Sequence, residues 1–184
     1  MAFQNQKILP AIRSMKDFER MLETSYTYGV FLDLHIGMLK SVFSYARQHG
    51  KQMFLHVDLI QGLNNDEAAA EYLCQEIKPY GLISTKSSVL TKARQKGLYA
   101  TQRAFIIDSS ALERSIRLIE KTDPHFVEVL PGVVPKIIKD IHERTGKTIF
   151  AGGLIDNEEE VEMALQAGAA AITTSNRDLW KKYM

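Results

Sequence analysis

Two turns late in the sequence carry the residue types that hold a phosphate group: Ala151-Gly152-Gly153-Leu154-Ile155 and, about one βα repeat later, Ala171-Ile172-Thr173-Thr174-Ser175-Asn176. Each follows a short apolar run and precedes a helical pattern. Gly152 and Gly153 let backbone amides approach an anion closely, and Thr174, Ser175 and Asn176 add hydroxyl or amide donors at the start of a helix. A Gly-Gly pair alone also serves as a plain turn. Paired with the next turn at this spacing, it lies where a (β/α)8 barrel holds phosphate, in the loops after strands seven and eight. The predicted phosphate site is therefore Gly152, Gly153, Thr174 and Ser175.

The ends of the other apolar runs are unusually polar. The second runs into Asp33-Leu34-His35, the third into His56-Val57-Asp58 and the fourth into Ser84-Thr85-Lys86, while the fifth carries Gln102-Arg103 and the sixth Glu128. Alternation in a strand sets Asp33 with His35, and His56 with Asp58, on common faces. If those faces point inward, carboxylates, two imidazoles, Lys86 and Arg103 meet in one small cavity. Two readings fit such a cluster: a charge-balanced network that closes the top of the barrel, because unpaired buried charge is costly, and a shell around a polar ligand. Beside the phosphate turns the ligand reading is preferred, and the same residues can serve both. Asp58, Glu128, His56 and Lys86 are also of types suited to general acid–base work. No H-E-x-x-H pattern supports metal ligation by Asp33, His35, His56, Asp58 or Glu128, no G-x-S-x-G elbow supplies a nucleophile, and Cys74 falls within the helical stretch Asp66–Cys74. No catalytic residue, metal or cofactor is predicted.

Positioning these residues takes an alternation of strands and helices. Apolar runs predict strands near Ile8–Ile12, Gly29–Leu34, Gln52–Val57, Leu82–Ser84, Ala100–Phe105, Phe126–Leu130, Thr148–Ala151 and Ala170–Thr174. Ser14 caps a helix over Met15–Leu22, His49-Gly50 ends one over Met38–Gln48, and Thr145-Gly146 ends one over Lys136–Arg144. Gly168 ends another over Glu158–Ala167, and a short last helix covers Arg177–Tyr183. Eight strands separated by helices imply right-handed parallel crossovers and closure into a compact α/β fold, a (β/α)8 barrel of TIM type, as one domain over residues 1–184. The length is below the ~250 residues usual for this fold, so the loops must be short. An open flavodoxin-like or Rossmann sheet is the alternative, but no βα turn reads G-x-G-x-x-G.

With 184 residues, 45% of them hydrophobic, the chain can bury one sizeable core. Its 23 Lys and Arg against 22 Asp and Glu leave a net charge of +1, which excludes a whole-molecule field that draws in nucleic acid or an anionic membrane. Any polyanion must meet a local patch. Basic residues gather in predicted helices, as Lys92, Arg94 and Lys96, then Arg114, Arg117 and Lys121, then Lys136 and Lys139, and finally Lys181 and Lys182. Interspersed acids make solvated helix faces the default account of them. Cys74 is alone, which allows no intramolecular disulfide and fits a reducing compartment. Met1–Lys7 lacks the charged-then-apolar pattern of a targeting segment, and no apolar run approaches the ~20 residues of a membrane span. A cytoplasmic location without membrane contact is expected.

Six ordered segments are similar to those of a known family. His56–Leu63, Gly81–Lys86, Gln102–Ser109, Glu128–Gly132, Ala151–Ile155 and Thr174–Trp180 together resemble the glycerol-uptake operon antiterminator regulatory proteins of low-GC Gram-positive bacteria, essentially from end to end. The resemblance implies a non-enzymatic (β/α)8 regulator that senses glycerol 3-phosphate and, when it is bound, acts on the leader mRNA of glycerol-utilisation genes so that transcription passes a terminator. It implies that Gly152, Gly153, Thr174 and Ser175 hold the phosphate of this effector. Asp58, Lys86, Arg103 and Glu128 are assigned to the glycerol hydroxyls, which their side chains can meet as donors or acceptors. RNA contact asks for clustered cations, and a homodimer that joins basic patches across a two-fold axis would supply them. The alternatives are a barrel enzyme of isomerase, aldolase or prenyltransferase type acting on a small phosphorylated metabolite, and a phosphate-binding barrel that regulates a protein partner.

Overall fold

Eight apolar runs form eight parallel strands in the computed structural model, which describes residues 5–184. They are β1 (Ile8–Ile12), β2 (Tyr28–Phe31), β3 (Gln52–His56), β4 (Gly81–Ser84), β5 (Tyr99–Phe105), β6 (Phe126–Leu130), β7 (Thr148–Gly152) and β8 (Ala169–Thr174). Each pairs with the next, and β8 pairs with β1 in the register Ile8 to Ile172, so the sheet closes into a barrel in chain order. Helices α1 (Met15–Leu22), α2 (Leu39–Gln48), α3 (Glu67–Tyr72), α4 (Ser87–Gln95), α5 (Ser109–Thr122), α6 (Pro135–Thr145), α7 (Glu158–Gln166) and α8 (Arg177–Lys182) follow the strands in turn. This is a (β/α)8 barrel of TIM type. Among the described residues no helix is long and apolar enough to cross a membrane.

Short polar side chains start several helices by taking their orphan first-turn amides. Ser14 Oγ accepts from Asp17 N (3.2 Å), Asp66 Oδ1 from Ala69 N (2.8 Å), Asp108 Oδ1 from Ala111 N (2.7 Å) and Asn157 Oδ1 from Glu160 N (3.0 Å). Such abrupt starts keep the loops after the strands short, which is how so small a chain completes the barrel.

Strand alternation divides the core in two. Outward residues such as Ile8, Leu55, Leu82, Val127, Ile149 and Ile172 are buried beneath the helices. Leu9, Val30, Phe54, Ile83, Phe126, Phe150 and Ala171 form a separate cluster. Within it Phe126 and Phe150 stack at 4.9 Å, and Phe54 meets both edge-on at 6.0 and 6.2 Å. This aromatic plug makes the lower barrel solid, as packed side chains do throughout this fold class.

Several boundaries differ from the sequence pattern. β2 stops at Phe31, because Asp33 takes a left-handed conformation (φ 49°) that breaks the extended run. Gly152 is the last residue of β7 and not part of the turn. A 3-10 turn, Ile36–Met38, precedes α2, and His35 Nδ1 caps it by accepting from Gly37 N (3.1 Å). Cys74 lies in a π-helical turn, Leu73–Ile77, that continues α3. It is buried, and burial pushes its thiol up to about 11, as expected of an inert cysteine.

Candidate functional site

Above the aromatic plug the barrel lining turns polar. Two residues on from Phe54, Phe126, Phe150 and Ala171, the same strand faces carry His56, Glu128, Gly152 and Thr173. His56, Glu128 and Thr173, together with Arg103 from β5, line a cavity of about 340 Å³ whose rim is Arg13, Gly153, Leu154, Asp156, Thr174, Ser175 and Asn176.

Glu128 organises the cavity floor. Arg103 Nε donates to its Oε2 (2.8 Å) and Thr173 Oγ1 donates to its Oε1 (2.6 Å), which gives a buried carboxylate the partners it needs. Gly152 makes this convergence of β5, β6 and β8 possible: a Cβ there would collide with Thr173 Oγ1 and stand 3.0 Å from Glu128 Oε1. Arg103 also packs its guanidinium over the Phe105 ring, 4.6 Å from the centroid. Among the described residues only the Nε of this guanidinium is hydrogen-bonded, so its terminal donors remain for a ligand.

His56 is 3% exposed, and neither ring nitrogen has a protein partner. Burial pushes its pKa below the ordinary 6.5, and the Arg103 guanidinium pushes the same way against the pull of the Glu128 and Asp58 carboxylates. The ring is therefore neutral near pH 7.

The rim is two turns braced against each other. Gly153 and Leu154 both have positive φ, 77° and 63°. Glycine accepts this freely; leucine does not, and such strain gathers at ligand sites. Gly132 N donates to the carbonyls of Gly152 (2.6 Å) and Gly153 (3.1 Å), which pins the turn to the end of β6. After β8, Asn176 N donates to Thr174 Oγ1 (3.1 Å), and Trp180 Nε1 donates to the Thr174 carbonyl (2.8 Å). Asn176 Nδ2 reaches across to the Asp156 carbonyl (3.1 Å), joining the two turns.

Of the residues expected to hold phosphate, Gly153, Thr174 and Ser175 line the cavity, and Gly152 lies beneath it as the position without a side chain. Of those expected at the hydroxyls, Arg103 and Glu128 line it, whereas Asp58 and Lys86 do not. Asp58 sits in the turn after β3 and ties it to β4: Ser84 Oγ donates to Oδ1 (2.5 Å), and Thr85 N and Oγ1 donate to Oδ2 (2.8 and 2.9 Å). Burial alone would raise its pKa, but these bonds hold it below the ordinary carboxylate value. Lys86 is exposed ahead of α4. Asp33 pairs with Arg13 across the rim (3.0 Å). The expected meeting of two imidazoles and all these charges thus reduces to His56, Arg103 and Glu128. Arg13, Leu154 and Asp156 had no assigned role; Arg13, directly after β1, was the one readable as a strand-end cation.

This arrangement can bind a small polar anion through backbone amides, hydroxyls and a guanidinium. Among the described residues no lysine or cysteine lines it, so neither a Schiff-base amine nor a thiol nucleophile is at hand.

A sequence profile of the family described as glycerol-3-phosphate responsive antiterminator matches residues 8–180. The chain is similar to the glycerol uptake operon antiterminator regulatory protein from Listeria monocytogenes, with 42% identity, a TM-score of 0.96 and 98% of each chain covered. It is also similar to a glycerol uptake operon antiterminator-related protein from Thermotoga maritima, with 33% identity, a TM-score of 0.85, and coverage of 96% of this chain and 98% of that one. The uncharacterized protein YgcP of Escherichia coli is 29% identical over 173 residues, 94% of this chain and 91% of its own length.

Proposed function

The chain belongs to the glycerol-3-phosphate responsive antiterminator family, and from that premise we propose that the cavity at the top of the barrel is the effector site of a cytoplasmic, non-enzymatic regulator. The phosphate of glycerol 3-phosphate lies against Gly153, Thr174 and Ser175, with Gly152 keeping the floor open beneath it. The glycerol end descends toward Arg103 and Glu128. Asp58 and Lys86, which stand outside the cavity lining, are left out of this contact set. Binding orders the rim turns and shifts the population competent for leader mRNA.

The observation that carries this reading is the union, in one cavity of about 340 Å³, of the two rim turns with the Arg103–Glu128 pair. Ligand pockets run from about 300 to 1,000 Å³, so this one suits a metabolite of a few heavy atoms. Calorimetric titration tests it. Glycerol 3-phosphate is expected to bind far more tightly than glycerol or inorganic phosphate alone. Gly153→Val puts a β-branched residue at φ 77°, and the rim distortion is expected to weaken effector binding by about tenfold or more. Unchanged affinity in that variant would remove the phosphate from this turn.

A further inference from the structure

His56 is a polar side chain 97% removed from solvent, on the wall of the cavity, with both ring nitrogens lacking a protein partner. A buried polar atom left unbonded is costly, and native structures complete such groups with a water, an ion or a functional partner. Its surroundings show what kind of ligand atom that is. From β5 and β6 the charged groups facing it are Arg103 and Glu128, and from its own turn Asp58. Those three are already bonded, Arg103 to Glu128 and Asp58 to Ser84 and Thr85. The flanking chain offers Val30 from β2, Leu32 just after it and, in register with His56, Ile83 from β4, none with a polar side chain. The buried Thr101 hydroxyl on β5 is itself without a partner and does not bond the ring, so the missing partner comes from the cavity, and it must suit a neutral imidazole, which donates at one nitrogen and accepts at the other. A hydroxyl does both, while a phosphate only accepts.

We infer that His56 is the specificity-determining residue of the effector site, hydrogen-bonding a hydroxyl of the phosphorylated polyol so that a phosphate ester lacking that hydroxyl leaves the ring unsatisfied and binds more weakly. The inference rests on the effector-site reading above and deepens it. Sites built to bond a hydroxyl discriminate strongly against analogues without it, unlike apolar pockets. Phosphate recognition at the rim and hydroxyl recognition at His56 are thus separable.

The test titrates the full chain with glycerol 3-phosphate, 2-hydroxypropyl phosphate, 3-hydroxypropyl phosphate and propyl phosphate. All four share the phosphate and its ionisation, so their affinity ratios report the hydroxyls. Wild type is expected to lose about 10- to 100-fold with one of the two monohydroxy esters. His56→Phe is expected to lose a similar factor for glycerol 3-phosphate while binding propyl phosphate as the wild type does, and His56→Gln, which keeps a donor and an acceptor, to recover part of the discrimination. If the wild type binds none of the four esters, the effector-site reading falls and this inference with it. If the wild type binds glycerol 3-phosphate but His56→Phe keeps full discrimination, or weakens all four esters equally, the inference alone is overturned. Should His56→Phe fail to fold, histidine ring 15N spectra of the wild type decide: a buried ring that responds to glycerol 3-phosphate and not to propyl phosphate supports the assignment, and the absence of any such ring overturns it.

Discussion

Protonating His56 and protonating Asp58 weaken the fold in the same direction but over different pH ranges. His56 has its folded pKa pushed below 6.5, first by burial and then by Arg103. Below 6.5 the unfolded chain takes up a proton that the folded chain refuses, so stability falls as the pH drops from there toward the folded value. For Asp58, burial is outweighed by the bonds from Ser84 and Thr85, and the folded pKa lies below 3.8. Its contribution is intact above 3.8 and is lost as the pH falls through the folded value. His125, also pushed down by burial and by Arg94, adds to the first range. Urea unfolding between about pH 7.5 and about pH 5 should show stability falling with acid, with a shallower fall in His56→Phe and the residue of the slope due to His125. An identical slope in the variant would mean that the buried ring does not resist protonation.

The elements were readable because each level of the pattern agrees with the next. β1, β6 and α1 follow the apolar runs and the Ser14 cap residue for residue, and alternation of strand and helix leaves little but a barrel. The rim turns were readable as turns for the same reason, and the phosphate role proposed for them follows from where this fold class holds phosphate. What alternation could not supply was the point at which each strand stops. Asp33 and His35 lie past the end of β2, where a left-handed residue and a 3-10 turn replace the extended run, so their faces no longer follow from a period of two. His56 is the last residue of β3 and still points inward, while Asp58, two residues on, has entered a turn and bonds sideways to β4. That difference makes a prediction about the β3–β4 connection. Asp58→Ala leaves Ser84 Oγ and Thr85 N without their acceptor, and is expected to lower stability by about 1–3 kcal/mol in urea unfolding. Glycerol 3-phosphate affinity should change little. The opposite pattern, intact stability with lost affinity, would return Asp58 to the ligand.

At the scale of the whole molecule, a net charge of +1 leaves RNA contact to local cations, and several helix cations are already paired. Lys92 meets Glu67 and Glu71 (2.9 and 3.2 Å), Lys96 meets Glu71 (2.5 Å), Arg94 meets Asp123 (2.6 Å), and Arg144 grips Glu113 with both terminal nitrogens (2.7 and 2.9 Å). Surface pairs of this kind add little to stability, but each keeps an anion beside the cation that RNA would need. On α5, three cations, Arg114, Arg117 and Lys121, share one face, and among the described residues none of the three is in an ion pair. Counterion release adds about 0.7 to the salt slope for each phosphate neutralised on a single strand, so these three cations imply a slope of about 2 for a monomer and about 4 for a homodimer that joins two such faces. A gel-shift titration of leader mRNA across a salt series, with and without glycerol 3-phosphate, reads both numbers at once. The effector is expected to tighten RNA retention, and a slope well above about 4 would move the contact to a surface beyond α5. Linkage adds a stricter requirement: RNA must tighten the effector by the same factor that the effector tightens RNA. A calorimetric affinity for glycerol 3-phosphate that is the same with and without saturating RNA would leave the cavity a binding site with no coupling to the transcript, and would favour a protein partner as the target of the regulation.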